Sequence, residues 1–340
     1  MNLEVLETGP LSTVQDGGRL GLRGFGVSEA GPVDRTAFQM ANRLVGNAPD
    51  AAAIEFAYVG GRFRVTRAAT VAVTGPGASV SIDGQPVKAQ ATLRLEPGQE
   101  LRIGALSKGL WGYLAIGGGI DTPPVLGSRA THLRFSLGGL EGRTLRAGDC
   151  LPLGDGAEIA NHVATRALPD VTAAPIRVLL GPQDDFFAPD VLARFLSQEH
   201  RVSARIDRMA AQIDGTPLPA IRGHDIVSDG TVPGAIQVPG SGQPLVLLVE
   251  GQTSGGYPKI ATVIAADLTR LAQLGPGKPF QFQAVTAEEA EAALLAMRQE
   301  TRAILDAIQE VQDFRPDPQK LMGENLISGV WHPNMDQDVG

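Results

Sequence analysis

"GQTSGGYPKIATVIAADLTRLAQLGPG", Gly251 to Gly277, decides how the second half of the chain is read. Its front carries paired glycines, a tyrosine, a proline and a lysine, and its back repeats apolar residues at helical spacing. Ile260, Val263, Ile264, Leu268, Leu271 and Leu274 fall on one face. The pattern predicts a glycine-rich turn that enters a helix directly, with Pro258 in the first helical turn. Such an entry offers free backbone N–H groups and the positive end of a dipole, which favour a carboxylate or phosphate. Tyr257 and Lys259 would add a hydroxyl and a cation. The competing explanation is a capped helix whose glycines serve only the turn.

Nucleotide patterns fail on spacing. Lys259 follows Pro258 and precedes Ile260, so no GxxxxGK[ST] loop is present, and neither "GLRGFG" nor "GGGID" has the GxGxxG spacing inside a strand-helix series. Working outward, "AGPVDRTAFQMANRLVGN" (30–47) predicts an earlier helix, with Pro32 at its start and Asp34 by its positive end. Asp34 and Asn42 lie eight residues apart, two turns, and so are expected to line one pocket. Upstream, "TVQDGGRLG" brings Gln15, Asp16 and Arg19 close in sequence; the plainer explanation is an exposed Asp at a helix start and a packed Asn. Between residues 53 and 153, short Val/Ile/Leu runs alternate with turns, and Asp83-Gly84 marks a hairpin. A second strand-rich stretch, with a helix near 189–198, follows a linker around 155–175. "TAEEAEAALLAMRQETRAILDAIQEVQ" opens on the capping box Thr286-x-x-Glu289 and predicts a long amphipathic helix.

The expected organisation is therefore mainly β with a few helices (α+β): one lobe over 1–165, a second over 170–285, and a helix with a tail over 286–340. Composition agrees with two lobes, since 340 residues exceed one ordinary core, and 43% hydrophobic against 19% charged residues gives ample surface to bury. A net charge of -8 without basic runs argues against a nucleic-acid partner. No apolar run reaches membrane-spanning length and the amino terminus lacks a signal-peptide core, so a cytoplasmic location is expected. A single cysteine, Cys150, read as a small core residue, fits a reducing compartment. The five histidines stand singly, so no metal site is expected.

Several strings, in order along the chain, carry a resemblance: "TVQDGGRLGLRGFGVSEAGPVD", "ANRLVGN", "LAIGGGID", "VLGSRAT", "LLGPQDDFF", "GAIQVPGSGQPLVLL" and, above all, the stretch from Gln252 to Gly277. Together they resemble the biotin-dependent carboxyltransferase-domain family, which includes the C components of 5-oxoprolinase (also called KipA), allophanate hydrolase subunit 2-like proteins and the carboxyltransferase region of urea carboxylase. "NLISGV" (325–330) is similar to tails in the same family.

The resemblance implies two cyclophilin-like β-barrel lobes and two partner proteins, the KipI-like B component and the A component of 5-oxoprolinase. It implies a complex that uses ATP, with Mg, to open 5-oxo-L-proline to L-glutamate. Phosphorylation of the lactam oxygen would make the amide carbon attackable by water. No biotin is attached to this chain: a Met-Lys acceptor is missing. The alternatives are a carboxyltransferase component and a regulator that binds a KipI-like kinase inhibitor. Carried over by motif, Lys259, Tyr257 and Asp34 are the candidate catalytic residues. Asp16, Gln15, Asn42, Arg129, Arg208, Gln237, Gln252, Thr253, Gly255 and Gly256 are the candidate substrate-binding residues, with Asp34 and Asp16 as polar partners across the lobe interface. Lys259→Ala and Gly256→Val are expected to disable the assembled complex while sparing the fold. One departure stands out: the family commonly follows Asp207-Arg208-Met209 with Gly, an aromatic or Met, and Arg, whereas Ala210-Ala211-Gln212 follow here.

Overall fold

The computed structural model describes residues 2–157, 159–170 and 175–311. The "NLISGV" segment and His332 lie outside the described residues. The chain is mainly β with four α-helices among those residues. Strands of the first half form two sheets. One runs in the order Cys150–Pro152, Asn2–Thr8, Val59–Val65, Glu100–Leu106, Ala78–Ile82, Gln85–Val87. The other runs Thr13–Gln15, Ala53–Ala57, Trp111–Ile116, Ala69–Thr74, Leu93–Leu95.

Period-2 alternation sets what each face of the five-stranded sheet buries. Ile54, Phe56, Val71, Val73, Leu114 and Ile116 face the core shared with the six-stranded sheet. Ala53, Ala72, Tyr113 and Ala115 face the other way, against helix α1, Arg35–Leu44. The helix buries Ala37, Phe38, Met40, Ala41 and Leu44 there. Asp34 is its N-cap, accepting from the Ala37 N–H at 2.9 Å, so the helix begins three residues later than Pro32. Asp83 and Gly84 turn the hairpin with φ of 49° and 80°. Strands at Asn2–Thr8 and Thr13–Gln15 open the chain. Cys150 is exposed on a sheet-edge strand and is not a core residue.

The second half forms one eight-stranded sheet, in the order Pro279–Phe280, His200–Ile206, Ala210–Asp214, Leu245–Leu247, Ala235–Gln237, Lys259–Val263, Ile176–Leu180, Phe282–Ala284. Its two edge strands are separated in the chain by Gln281 alone, so the sheet curls back almost to closure. Two helices, α2 (Pro189–Ser197) and α3 (Ala265–Gln273), pack on it. Of the two expected barrels one is met in coarse form, as the near-closed sheet of the second half; the first half is two antiparallel sheets of six and five strands.

The Gly251–Gly277 stretch folds differently from its sequence pattern. Lys259–Val263 is a strand, not a helix start; it pairs with both Ala235–Gln237 and Ile176–Leu180, and the helix begins only at Ala265. Two strand neighbours outweigh local helical spacing. The apolar residues at 260, 263, 264, 271 and 274 are all buried, but on two different elements.

The long helix α4 spans Ala287–Asp306, with the capping box formed as expected: Thr286 accepts from Glu289 N–H and Glu289 accepts from Thr286 N–H. Ile308 belongs to a short strand, Ile308–Glu310, paired with His162–Ala164. Over its 20 residues the helix buries only Ile304 fully. It spans a cleft of about 1180 Å³ with an apolar floor including Leu268 and Met297 and arginines 35, 43, 298 and 302 among its walls. Among the described residues, no helix is long and apolar enough to cross a membrane.

Inside the α3 entry, Asp267 is fully buried and accepts from the Arg177 backbone N–H, Nε and Nη2 at 2.8, 2.9 and 2.8 Å. Burial alone would raise its pKa, but the Arg177 hydrogen bonds and the Arg270 charge outweigh it and hold the carboxyl below its ordinary value. A depressed carboxyl stabilises the fold above its unfolded pKa and loses that contribution as pH falls through the folded one. Asp267→Asn is therefore expected to cost about 1–3 kcal/mol at pH 7. The gap from wild type should close below about pH 4, read by urea unfolding across pH.

Candidate functional site

Two polar clusters lie where the halves of the chain meet and on the face of the second sheet. The first is the buried ion network around Arg208. Its Nε donates to Glu250, Nη1 to Glu55 and Nη2 to the Gly31 carbonyl at 2.7 Å. Glu55 also accepts from Val33 N–H at 2.8 Å and from Tyr113 Oη at 2.7 Å. Burial raises the Glu55 carboxyl above its ordinary value, and the Arg208 charge and the hydrogen bonds from Val33 and Tyr113 offset only part of that rise. Every neighbour of its two oxygens is a donor, so the carboxylate is the form that fits. Burial would lower the Arg208 pKa, but the charges of Glu55 and Glu250 prevail and hold it above the ordinary value.

Asp34 joins the same seam. Besides capping α1 it accepts from Gln273 Nε2 at 2.8 Å, and Gln273 Oε1 accepts from Leu110 and Trp111 N–H. Asp34 does bridge the halves, but as a cap buried to 6% exposure. Beside it, Ser28, His132 and Glu250 form a row with the outline of a nucleophile, base and orienter. The Ser28 Oγ to His132 Nε2 distance is 2.7 Å, and Glu250 lies 3.8 Å from Nδ1. Nδ1, however, accepts from Phe135 N–H at 3.4 Å, so the ring proton sits on Nε2 and is donated to Ser28. Burial lowers the His132 pKa and keeps the ring neutral, and the three side chains are at most 3% exposed. The row is structural.

The second cluster surrounds Lys259. A two-residue ladder pairs Asp229–Gly230 with Ser254–Gly255 and lies over the sheet like a clip. Beneath it Lys259, 3% exposed, donates from Nζ to Asp229 Oδ2 at 2.6 Å and to the Gly230 carbonyl at 3.2 Å. Asp229 itself is half exposed, and its hydrogen bond with Lys259 holds its carboxyl below the ordinary value. Gln183 reaches the same place, accepting from Lys259 N–H at 3.1 Å. Gln237, 1% exposed, accepts from Gln252 Nε2 at 2.8 Å, while its own Nε2 has no partner. Thr253 ties the clip to the next loop by accepting from Thr231 N–H, and Tyr257 stands exposed at the margin.

The glycines of this stretch divide. A Cβ on Gly255 would come within 2.3 Å of Gln237 Nε2, whereas one on Gly256 would meet nothing nearer than 3.4 Å. Gly255 is the position where a side chain would collide, while the room at Gly256 agrees with a Gly256→Val chain that keeps its fold. The helix-dipole argument for an anion site also falls, because a strand follows the turn.

The other expected residues stand elsewhere. Gln15 is buried and donates to Thr13 and to the Thr131 carbonyl; Asp16 accepts from Gly18 N–H, Ser128 Oγ and Arg129 N–H. These bonds lie within the first half, so Asp16 does not partner Asp34 across the seam. Arg129 pairs with Asp121 at 2.7 Å on the surface. Asn42 is fully buried and donates to the Ala51 carbonyl at 2.9 Å, closing the loop after α1, so it shares no pocket with Asp34. Sequence reasoning misses Asp229, which lies thirty positions before Lys259 and shows only an Asp-Gly turn signal. Gln212, Leu245, Gln237 and Lys259 lie in register across four adjacent strands, so the position at which the family commonly carries Arg shares a face with the Lys259 cluster. None of residues 252–259 lines the large cleft beneath α4. Among the described residues, no three His, Cys, Asp or Glu converge as a metal site would require.

The family model "Carboxyltransferase domain, subdomain A and B" matches residues 25–284, and the chain belongs to that family. It is 37% identical over 288 residues to the C component of 5-oxoprolinase from Escherichia coli (strain K12), covering 85% of this chain and 93% of the relative. To the C component of 5-oxoprolinase from Haemophilus influenzae it is 34% identical over 313 residues, covering 92% and 99%. The crystal structure of K. lactis urea amidolyase superposes with a TM-score of 0.80 at 27% identity, covering 92% of this chain and 20% of that one.

Proposed function

We propose that the chain is the C component of an ATP-dependent 5-oxoprolinase complex, acting with the A and B components in the cytoplasm to open 5-oxo-L-proline to L-glutamate. The observation that carries this is end-to-end likeness: relatives named as the C component of 5-oxoprolinase match over 93% and 99% of their own length. On this reading both halves are variants of the cyclophilin-like barrel, and the Lys259 cluster receives the substrate. A lactam carbon resists attack because its nitrogen shares electron density with the carbonyl, so donors aimed at the oxygen favour opening. Lys259 and Gln237 hold the substrate for that opening, and Tyr257 stands exposed at the margin of the same cluster.

The residues of this chain do not fit ATP at the glycine-rich turn. No helix starts there, so no row of free N–H groups or helix dipole cradles a phosphate chain. The reading needs ATP and Mg in the assembled complex, away from this turn. The test combines the full chain with the A and B components and measures glutamate released from 5-oxo-L-proline. Release is expected only with all three proteins and ATP; its absence from a complete, folded complex sinks the reading.

The likeness to urea amidolyase supports a second reading, a carboxyltransferase component served by biotin on another protein. ATP-driven transfer of carboxyl from a biotinylated carrier to urea would replace the first reading with the second.

A further inference from the structure

Lys259 and Gln237 face each other across adjacent strands, so their side chains rise from the same face of the sheet. Both lie beneath the clip, yet neither belongs to it. Lys259 takes its counter-charge from Asp229, a clip residue that is half exposed. Gln237 Nε2 is buried without any acceptor, lying under Gly255 of the facing clip strand. A buried N–H left unpaired is costly, and it stands beside an ammonium whose partner sits on a two-residue ladder. One cation and one neutral N–H, side by side, match a monoanion with two oxygens. Inorganic phosphate, with four oxygens and more charge, is matched less well by one ammonium and one amide N–H.

We propose that Lys259 Nζ and Gln237 Nε2 form a binding site for the carboxylate of a small ligand, and that the Asp229 carboxylate occupies the ligand's place until the ligand displaces it. The inference rests on the Lys259 cluster being the substrate-facing region, and adds which part of the substrate it grips. Displacement lifts the Asp229–Gly230 strand, frees Lys259 for one ligand oxygen and gives Gln237 its missing acceptor with the other. The closed clip lowers apparent affinity by the fraction of molecules that are open.

Titration calorimetry on the isolated full-length chain tests this without the rest of the complex, so failure of the oxoprolinase reading leaves the result readable. The probes are 5-oxo-L-proline, uncharged 2-pyrrolidinone and inorganic phosphate. Asp229→Asn keeps the shape of the side chain and removes its charge. It is expected to bind 5-oxo-L-proline about tenfold more tightly than wild type and to leave 2-pyrrolidinone unchanged. Adding Gln237→Leu should remove the gain.

Unchanged or weaker binding of 5-oxo-L-proline to Asp229→Asn, an equal gain for 2-pyrrolidinone, or a preference for phosphate overturns the proposal. Should Asp229→Asn not fold, hydrogen exchange on the wild type decides. The Thr231 and Ile226 amides, which hydrogen-bond to Thr253 and Gly256, should exchange faster when 5-oxo-L-proline is saturating. Slower or unchanged exchange overturns the idea equally.

Discussion

Arg208→Met is expected to cost about 3–5 kcal/mol of stability, the range for removing one partner from a buried ionic network. Methionine fills much of the same volume, so the loss is electrostatic more than steric. Glu55 and Glu250 would then face each other with no cation between them, and the Gly31 carbonyl would lose its donor. Neither carboxylate can reach water, since both are at most 2% exposed. The deficit carries a pH signature. Without Arg208 the buried Glu55 carboxyl loses the charge that opposes its desolvation and is pushed further above its ordinary value, so the folded state binds protons more readily than the unfolded one. Stability relative to wild type should therefore recover as pH falls from 7 toward about 5. Urea unfolding at both values measures this, and Glu55→Gln in the same chain should restore part of the loss at pH 7. A deficit below about 1 kcal/mol, or one independent of pH, would show that the seam is held by its apolar contacts alone.

Those apolar contacts explain why the seam is hard to read in sequence. Val33, Ala57, Leu110 and Trp111 of the first half lie in one core cluster with the second half's Leu271 and Ala272, and Trp111 Nε1 donates to the Ala272 carbonyl at 3.1 Å. Nothing local in "LWGYLAI" announces that partner. The hairpin at Asp83-Gly84 and the α4 capping box are legible because the physics that fixes them lies within a few residues. Lys259–Val263 misleads for the opposite reason. Its apolar spacing suits a helix, but two strands distant in sequence supply backbone partners, and that choice is invisible in a short window. The site residues split the same way. Lys259, Gln237, Gln252 and Gly255 converge, while Asn42, Arg129 and Asp16 serve loops of the first half. Asp229 gives no signal of its own, because the turn it sits in looks like any other Asp-Gly turn.

Lys259→Met separates function from fold where Arg208→Met does not. The lysine stem is buried, and methionine replaces its apolar length. The partner left behind, Asp229, is half exposed and regains water, so no charge is stranded. The melting temperature should stay near that of wild type. In the assembled complex, by contrast, the ammonium faces the substrate, and its loss should lower kcat/KM for 5-oxo-L-proline by at least about 100-fold, the scale for truncating a buried charge partner. A guanidinium is larger and planar, so Lys259→Arg should not rescue turnover. The decisive comparison is between variants at equal folded fraction. If Lys259→Met folds and turns over as wild type does, the ammonium only pins the clip, and the substrate must be sought elsewhere on the chain. If it folds and does not turn over, the clip covers the chemistry, and the exposed Asp229 marks where the substrate enters.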